Sequence, residues 1–203
     1  ESWSGSNGAI TEVHQAHRDL LIRFGDMTTA TPTGWSDLDT ARDGWDIRWW
    51  SLKEVDLKKV LDKMAYEACF IFRFKSDGTP QYIHIPNSPS TDHTLSKDDI
   101  ADITLKVTPF SELITKRTIN YKKHPAESRY LSTITTEDTT NNPRKKWGLK
   151  TKENIEDIKL DMLVANVGDA NPGNDDPNDS FAGYYNNIFG DVKLVVSCSI
   201  LNP

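Results

Sequence analysis

The stretch from Ser51 to Ile85 constrains this chain more than any other, because it reads without interruption as a capped helix followed by an antiparallel hairpin. Ser51 and Glu54 have the spacing of a capping box, in which the hydroxyl accepts from the third helical amide and the carboxylate reaches back. Behind them Leu57, Val60, Leu61, Met64 and Ala68 recur at steps of three and four, with Lys58, Lys59, Asp62 and Lys63 outside. Cys69 to Phe74 then alternates as a half-buried strand. Asp77-Gly78 supplies the positive backbone angles of a turn, and Tyr82, Ile83 and Ile85 return. This unit carries no catalytic motif and reads as a module that builds a larger assembly.

Other elements follow from the same signals. Val13, Ala16, Leu20, Leu21 and Phe24 stripe a first helix from about Thr11 to Phe24, capped by Thr11 and stopped by Gly25. Residues 26–43 are rich in Thr, Gly, Asp and Pro and read as a long loop, and Trp45 to Trp50 as an aromatic strand. Ser96 to Asp99 starts a helical turn, and Pro109 a short helix through Ile114. Strands are expected at Ile103 to Val107, Lys116 to Lys122, Tyr130 to Thr136 and Val192 to Leu201, with a strand or mixed segment at Ile158 to Val164. Ser180 opens an aromatic helix closed by Gly190. Helices and short strands without regular βαβ alternation predict an α+β fold, with mixed short antiparallel sheets and a few packed helices. Two subdomains are expected: residues 1–92, with the first helix, Trp-rich strand and helix–hairpin, and a β-rich part at 93–203.

At 203 residues the chain is long enough for a sizeable core, and its net charge of −6 argues against a general nucleic-acid binder. No apolar run approaches the ~18 residues of a membrane helix, so no membrane partner is expected. No signal peptide is visible. The two ends, without an initiator Met and with a strand-like run just before Pro203, lead us to expect a piece of a longer protein. Cys69 and Cys198 both lie in apolar runs and are expected to be buried free thiols.

Several constellations invite a chemical reading. His14 and His17, three apart on the first helix, would need further ligands for zinc, and Glu12 is the only near one; ordinary surface histidines are expected. Asp169, Asn171, Asp175, Asp176 and Asp179 crowd one loop with oxygen ligands, but the spacing fails the EF-hand pattern. Asp169, Asn171, Asp175 and Asp179 stand as a weak metal candidate against a solvated acidic loop. A basic stretch from Arg144 to Lys152 surrounds Trp147 and reads as a solvated loop. Trp45, Trp49 and Trp50 suit a protein interface or a core better than ligand stacking. Nucleophile-elbow, zincin, phosphate-loop and dinucleotide motifs are all missing. Paired carboxylates for glycoside hydrolysis are spatial and leave no sequence trace.

The order of these features resembles the hub and tail-tip proteins of tailed bacteriophages. It runs from the Leu57 to Ala65 leader through the Asp77-Gly78 hairpin, the link at Pro86 and the Leu95 to Ile100 turn. Strands at Ile103 to Val107 and Lys116 to Tyr121 follow, then Asp138 to Asn142, Lys152 to Glu156, and Tyr184-Tyr185 ahead of Val192 to Ile200. The likeness spans Trp45 to Pro203 and is one of ordered pattern. It implies a structural component of a phage tail hub or baseplate, located in the virion tail and assembled in the host cytoplasm. Its partners would be other virion tail proteins and further copies of itself in a ring-like homo-oligomer, with no cofactor and no enzymatic activity. Trp45, Trp49 and Trp50, then Tyr184 and Tyr185, are the interface residues expected on aromatic density. The alternative is a carbohydrate-active, wall- or polysaccharide-degrading tail domain, with two carboxylates facing an aromatic-lined cleft at Trp35 or Trp49.

Overall fold

A computed structural model describes residues 10–51, 53–86, 94, 96–109, 112–114, 116–136, 154–168, 180–189 and 192–200. Helix α1 (Val13–Phe24) buries Val13, His14, His17 and Leu21, and it ends where the Gly25 amide donates to the Leu21 carbonyl. Helix α2 (Trp35–Ala41) and helix α3 (Leu57–Glu67) follow, then strands β1 (Phe70–Phe74) and β2 (Pro80–His84). A 3-10 turn (Lys97–Asp99) leads into β3 (Ile100–Val107), β4 (Lys116–Lys123) and β5 (Tyr130–Thr136). The last elements are β6 (Ile155–Lys159), α4 (Phe181–Phe189) and β7 (Leu194–Ile200). The chain is α+β, as its sequence pattern predicts.

Among the described residues the strands form three small sheets. β1 and β2 form the expected hairpin, with Phe72 opposite Tyr82. Gly78 takes φ 81° at the end of a three-residue loop closed by the Lys75–Thr79 hydrogen bond; Asp77 does not share its positive angle, and its carboxylate accepts from the Thr79 amide instead. β4 is central in a second sheet, antiparallel to β5 and parallel to β6. β3 pairs antiparallel with β7, far along the chain, and among the described residues with no other strand.

Several local expectations need correction, the first at α1, whose N-cap is Glu12 with no side-chain capping bond, and not Thr11. Ser51 does not cap α3: its hydroxyl closes a small turn on Lys53, and Asp56 caps the helix by accepting from the Lys58 and Lys59 amides. Two residues able to cap a helix compete there, and the one next to the apolar stripe wins. The expected long loop at 26–43 contains α2, which is anchored by a single buried residue, Leu38, and so leaves little periodic signal. Gly34 enters that helix at φ 74°, where a Cβ would lie 2.2 Å from the Tyr82 carbonyl oxygen. The Trp45 to Trp50 segment makes isolated bridges at Asp46 and Ile47 and no ladder. Finally, Cys198 is exposed while Cys69 is buried.

The buried core draws on α1, α2, α3 and the hairpin together with Ile119, Ile158, Leu160, Leu163 and Phe181, so it runs across the 92/93 position. Two buried ionic groups tie these parts together. Glu67, at the end of α3, accepts from the amides of Asp161, Met162 and Leu163 at 2.8, 2.9 and 2.8 Å. Arg42, just after α2, donates to the carbonyls of Ala68, Cys69 and Ile85 and to the Tyr184 hydroxyl.

His14 and His17 are also inside, contrary to the surface position expected of them. His17 is ringed by Phe70, Phe72 and Tyr82, and its Nδ1 meets the Tyr82 hydroxyl at 2.9 Å. Burial pushes its pKa down to about 3, so the ring is neutral in the fold. The unfolded chain takes up a proton near pH 6.5 that the native state refuses, so stability falls with pH from 6.5 toward 3 at about 1.4 kcal/mol per unit. Replacing both partners, His17→Leu with Tyr82→Phe, removes this term without stranding a hydroxyl. The stability difference between wild type and double variant should therefore shift by roughly 3 kcal/mol between pH 7 and pH 4.5 in urea titrations. Parallel stability–pH curves would contradict the assignment.

Candidate interaction surface

The pairing of β3 with β7 decides what this ribbon shows to its surroundings. Opposed residues of an antiparallel pair project to the same face. Leu105 stands opposite Val196, and Val107 opposite Leu194. Ile103, two residues before Leu105, continues that face by alternation. All five side chains are 53–61 % exposed. The other face carries Thr104 opposite Ser197 and Lys106 opposite Val195. The ribbon is thus amphipathic, with its aliphatic side open.

A bulge between Ala101 and Thr104 sets two residues of β3 against one of β7. Asp102 occupies it at φ 54°, a left-handed conformation that Asp tolerates better than most residues. Each strand has one paired edge and one edge without a partner strand among the described residues. Two-stranded sheets are marginal in water unless an apolar face is covered. Contiguous aliphatic patches of this kind mark contact sites on soluble proteins.

The aromatic residues expected at an interface are divided by the fold. Trp45 and Tyr184 are buried, with the Arg42 guanidinium 4.7 Å from one ring and 4.5 Å from the other. Wholly enclosed rings offer nothing to a partner, and these two serve the core. Trp49, Trp50 and Tyr185 are half-buried, and the Tyr185 hydroxyl meets that of Tyr66 at 2.8 Å. Asp169, Asn171, Asp175 and Asp179 lie outside the described residues. The β3–β7 ribbon was legible only as two separate strands, because alternation shows which residues share a face and not whether anything covers it.

Trp49 also borders a shallow cleft of about 430 Å³ with Leu20, Ile47, Arg48 and Asp19. Asp19 is the carboxylate in that lining, and Arg23 holds it at 2.9 Å. Among the described residues that line it, the cleft therefore offers one carboxylate rather than the pair that glycoside hydrolysis uses.

A second polar centre joins α1 to α2. His14 Nε2 lies 2.9 Å from Asp39 Oδ1 and 3.4 Å from Glu12 Oε2, and the three ligand atoms fall within 4.8 Å of one another. Such a set could hold a divalent cation. The other ring nitrogen, Nδ1, is buried without a hydrogen-bond partner. Coordination through Nε2 would move the ring proton onto Nδ1, where no acceptor waits, so the usual support of a metal-bound imidazole is missing. Burial lowers the His14 pKa, opposed by Asp39, and a neutral ring donating from Nε2 to Asp39 satisfies the geometry. Glu12, its own pKa raised by burial, is engaged by the Gly44 amide and the Gln15 side chain. The arrangement works as a clamp between two helices.

The chain matches no protein-family model, and no curated protein matches it. No described helix is long and apolar enough to cross a membrane.

Proposed function

We propose that this chain is a structural subunit of a larger protein assembly, of the kind built by the tail hubs and baseplates of tailed bacteriophages. It works through protein–protein contacts in the virion tail, after assembly in the host cytoplasm, and has no catalytic role of its own. The observation that carries this reading is the open aliphatic face of the β3–β7 ribbon. The ordered sequence resemblance to hub proteins supplies the kind of assembly.

Magnitudes fit a subunit that associates through many copies. Covering five half-exposed aliphatic side chains contributes about 1 kcal/mol each. Association costs roughly 4–15 kcal/mol before any surplus appears. One ribbon contact is therefore weak alone, and ring-like assembly would multiply it.

Light scattering across a concentration series tests the proposal. The mass is expected to rise with concentration, and Leu105→Asp combined with Val196→Asp should abolish the rise while leaving the fold intact by circular dichroism. A strict monomer at all concentrations, or an association indifferent to both substitutions, would count against the ribbon as the contact surface.

A further inference from the structure

We propose that Lys63 and Asp161 form an intramolecular isopeptide bond, an amide between the Lys63 side-chain nitrogen and the Asp161 side-chain carboxyl, made by the folded chain on itself. The inference is independent of the ribbon. Lys63 Nζ, on α3, is in direct contact with Asp161 Oδ2. The opposite oxygen, Oδ1, accepts from the Tyr130 hydroxyl on β5 and faces Lys123 Nζ of β4 at 3.2 Å. Glu67, one helical turn beyond Lys63, places Oε1 4.0 Å from the same Nζ. That oxygen also accepts from the Asp161 amide at 2.8 Å, so the Glu67 carboxyl is fixed to the backbone of the residue to be attacked. Glu67 is wholly enclosed, and Lys63 and Asp161 are half-buried.

An ion pair needs only two partners, whereas this arrangement supplies each part of an acyl-transfer site. Lys63 is the nucleophile, and Asp161 Cγ is the carbon it attacks. The Tyr130 hydroxyl and the Lys123 ammonium hold Oδ1, where negative charge develops in the tetrahedral intermediate. Burial would raise the Asp161 pKa, but hydrogen bonds from Lys63 and Tyr130 outweigh it and keep the carboxyl below its ordinary range. A proton must therefore be delivered to Oδ2, and Glu67 carries it from Nζ, directly or through one water. Burial raises the Glu67 pKa, which suits it to hold a proton in transit.

The step balances within the chain. The Nζ–Cγ bond forms and the Cγ–Oδ2 bond breaks. Of the three ammonium protons, one stays on the amide nitrogen and two leave with Oδ2 as water. The opposite charges cancel, and no other reactant enters. Water normally favours the separate ammonium and carboxylate. Groups held in contact reach effective molarities of about 10⁵–10⁸ M, far above that of water itself. The reaction is a single self-modification and turns over no substrate. It closes a covalent loop between residues 98 positions apart, joining α3 to the segment after β6. Such a link constrains the unfolded chain as a disulfide does, and reducing conditions do not undo it.

Intact-mass spectrometry of the purified, denatured 203-residue chain provides the test. The wild type is expected to be lighter than its sequence by one water. Proteolysis should yield a branched peptide joining the segments that hold Lys63 and Asp161. Lys63→Arg keeps the ion pair without a primary amine and should show its full mass. Asp161→Asn should lose ammonia in place of water, a signature that a purely structural contact cannot give. Glu67→Gln, its fold checked by circular dichroism, should form the bond about a hundredfold more slowly. A wild type of full sequence mass would overturn the proposal, as would a loss of water that persists in Lys63→Arg. A branched peptide joined through Lys123 would overturn Lys63 as the nucleophile.

Discussion

Arg42→Met is expected to lower the unfolding free energy by about 4 kcal/mol, the cost typical of breaking up a buried ionic group and its hydrogen bonds. The guanidinium has five N–H donors, and the structure gives it five acceptors. Nε donates to the Ala68 carbonyl at 2.6 Å; Nη1 donates to the Ala41 carbonyl and the Tyr184 hydroxyl at 2.8 and 2.9 Å; Nη2 donates to the Cys69 and Ile85 carbonyls at 3.0 and 3.1 Å. Ala68 is the C-cap of α3, so the positive charge sits at the negative end of a helix dipole. The Trp45 and Tyr184 rings add two π faces. Methionine fills much of the volume but leaves enclosed carbonyls without donors. Arg42→Lys keeps the charge yet cannot span acceptors arranged around a planar fork, so it should cost a substantial part of the same energy. Urea denaturation of both variants checks this. A loss below about 1 kcal/mol for Arg42→Met would mean that water or neighbouring groups satisfy the carbonyls instead.

Glu67→Ala should come next, with a loss of about 3–5 kcal/mol. Burial raises the Glu67 pKa, and the three backbone amides it accepts from oppose that rise, with Lys63 at 4.0 Å adding to them. Those amides belong to consecutive residues, Asp161 to Leu163, in a segment with no ladder of its own at that point. One carboxylate therefore does the work of a strand partner, and alanine would leave three N–H groups unpaired. Glu67→Gln keeps one acceptor oxygen and places an NH₂ against the remaining donors, so it should recover only part of the loss. Because the Met162 carbonyl accepts from the Arg48 amide, and the adjoining Val164 amide donates to the Asp46 carbonyl, local hydrogen exchange should accelerate on both sides of the core. Unchanged exchange at Met162 and Leu163 would contradict this role.

Both groups were invisible to sequence reasoning for the same reason. Arg42 sits among Asp39, Thr40 and Asp43, in a stretch that reads as a polar loop, and Glu67 closes a helix already rich in charge. Nothing in their neighbours distinguishes a solvated ion from a buried one. His14 and His17 misled in the same way: a spacing of three places both on one face of α1 but does not say that the face is the inner one.

What the sequence by itself determined was local. The apolar stripes of α1 and α3, the β1–β2 hairpin with its turn at Gly78, the start of α4 at Ser180, and the strands at β3, β4, β5 and β7 are settled by neighbours a few residues apart. Their energies depend on periodicity, capping and backbone angles, which a sequence states directly. Tertiary structure alone decided which apolar faces are covered. It placed Trp45 and Tyr184 around Arg42 rather than on a surface, chose Asp56 over Ser51 as the cap, and joined β3 to β7 across ninety residues while leaving their aliphatic side open. Burial is a property of partners distant in sequence, and the same alternating pattern serves equally well for a face turned to the core and one turned outward to another molecule.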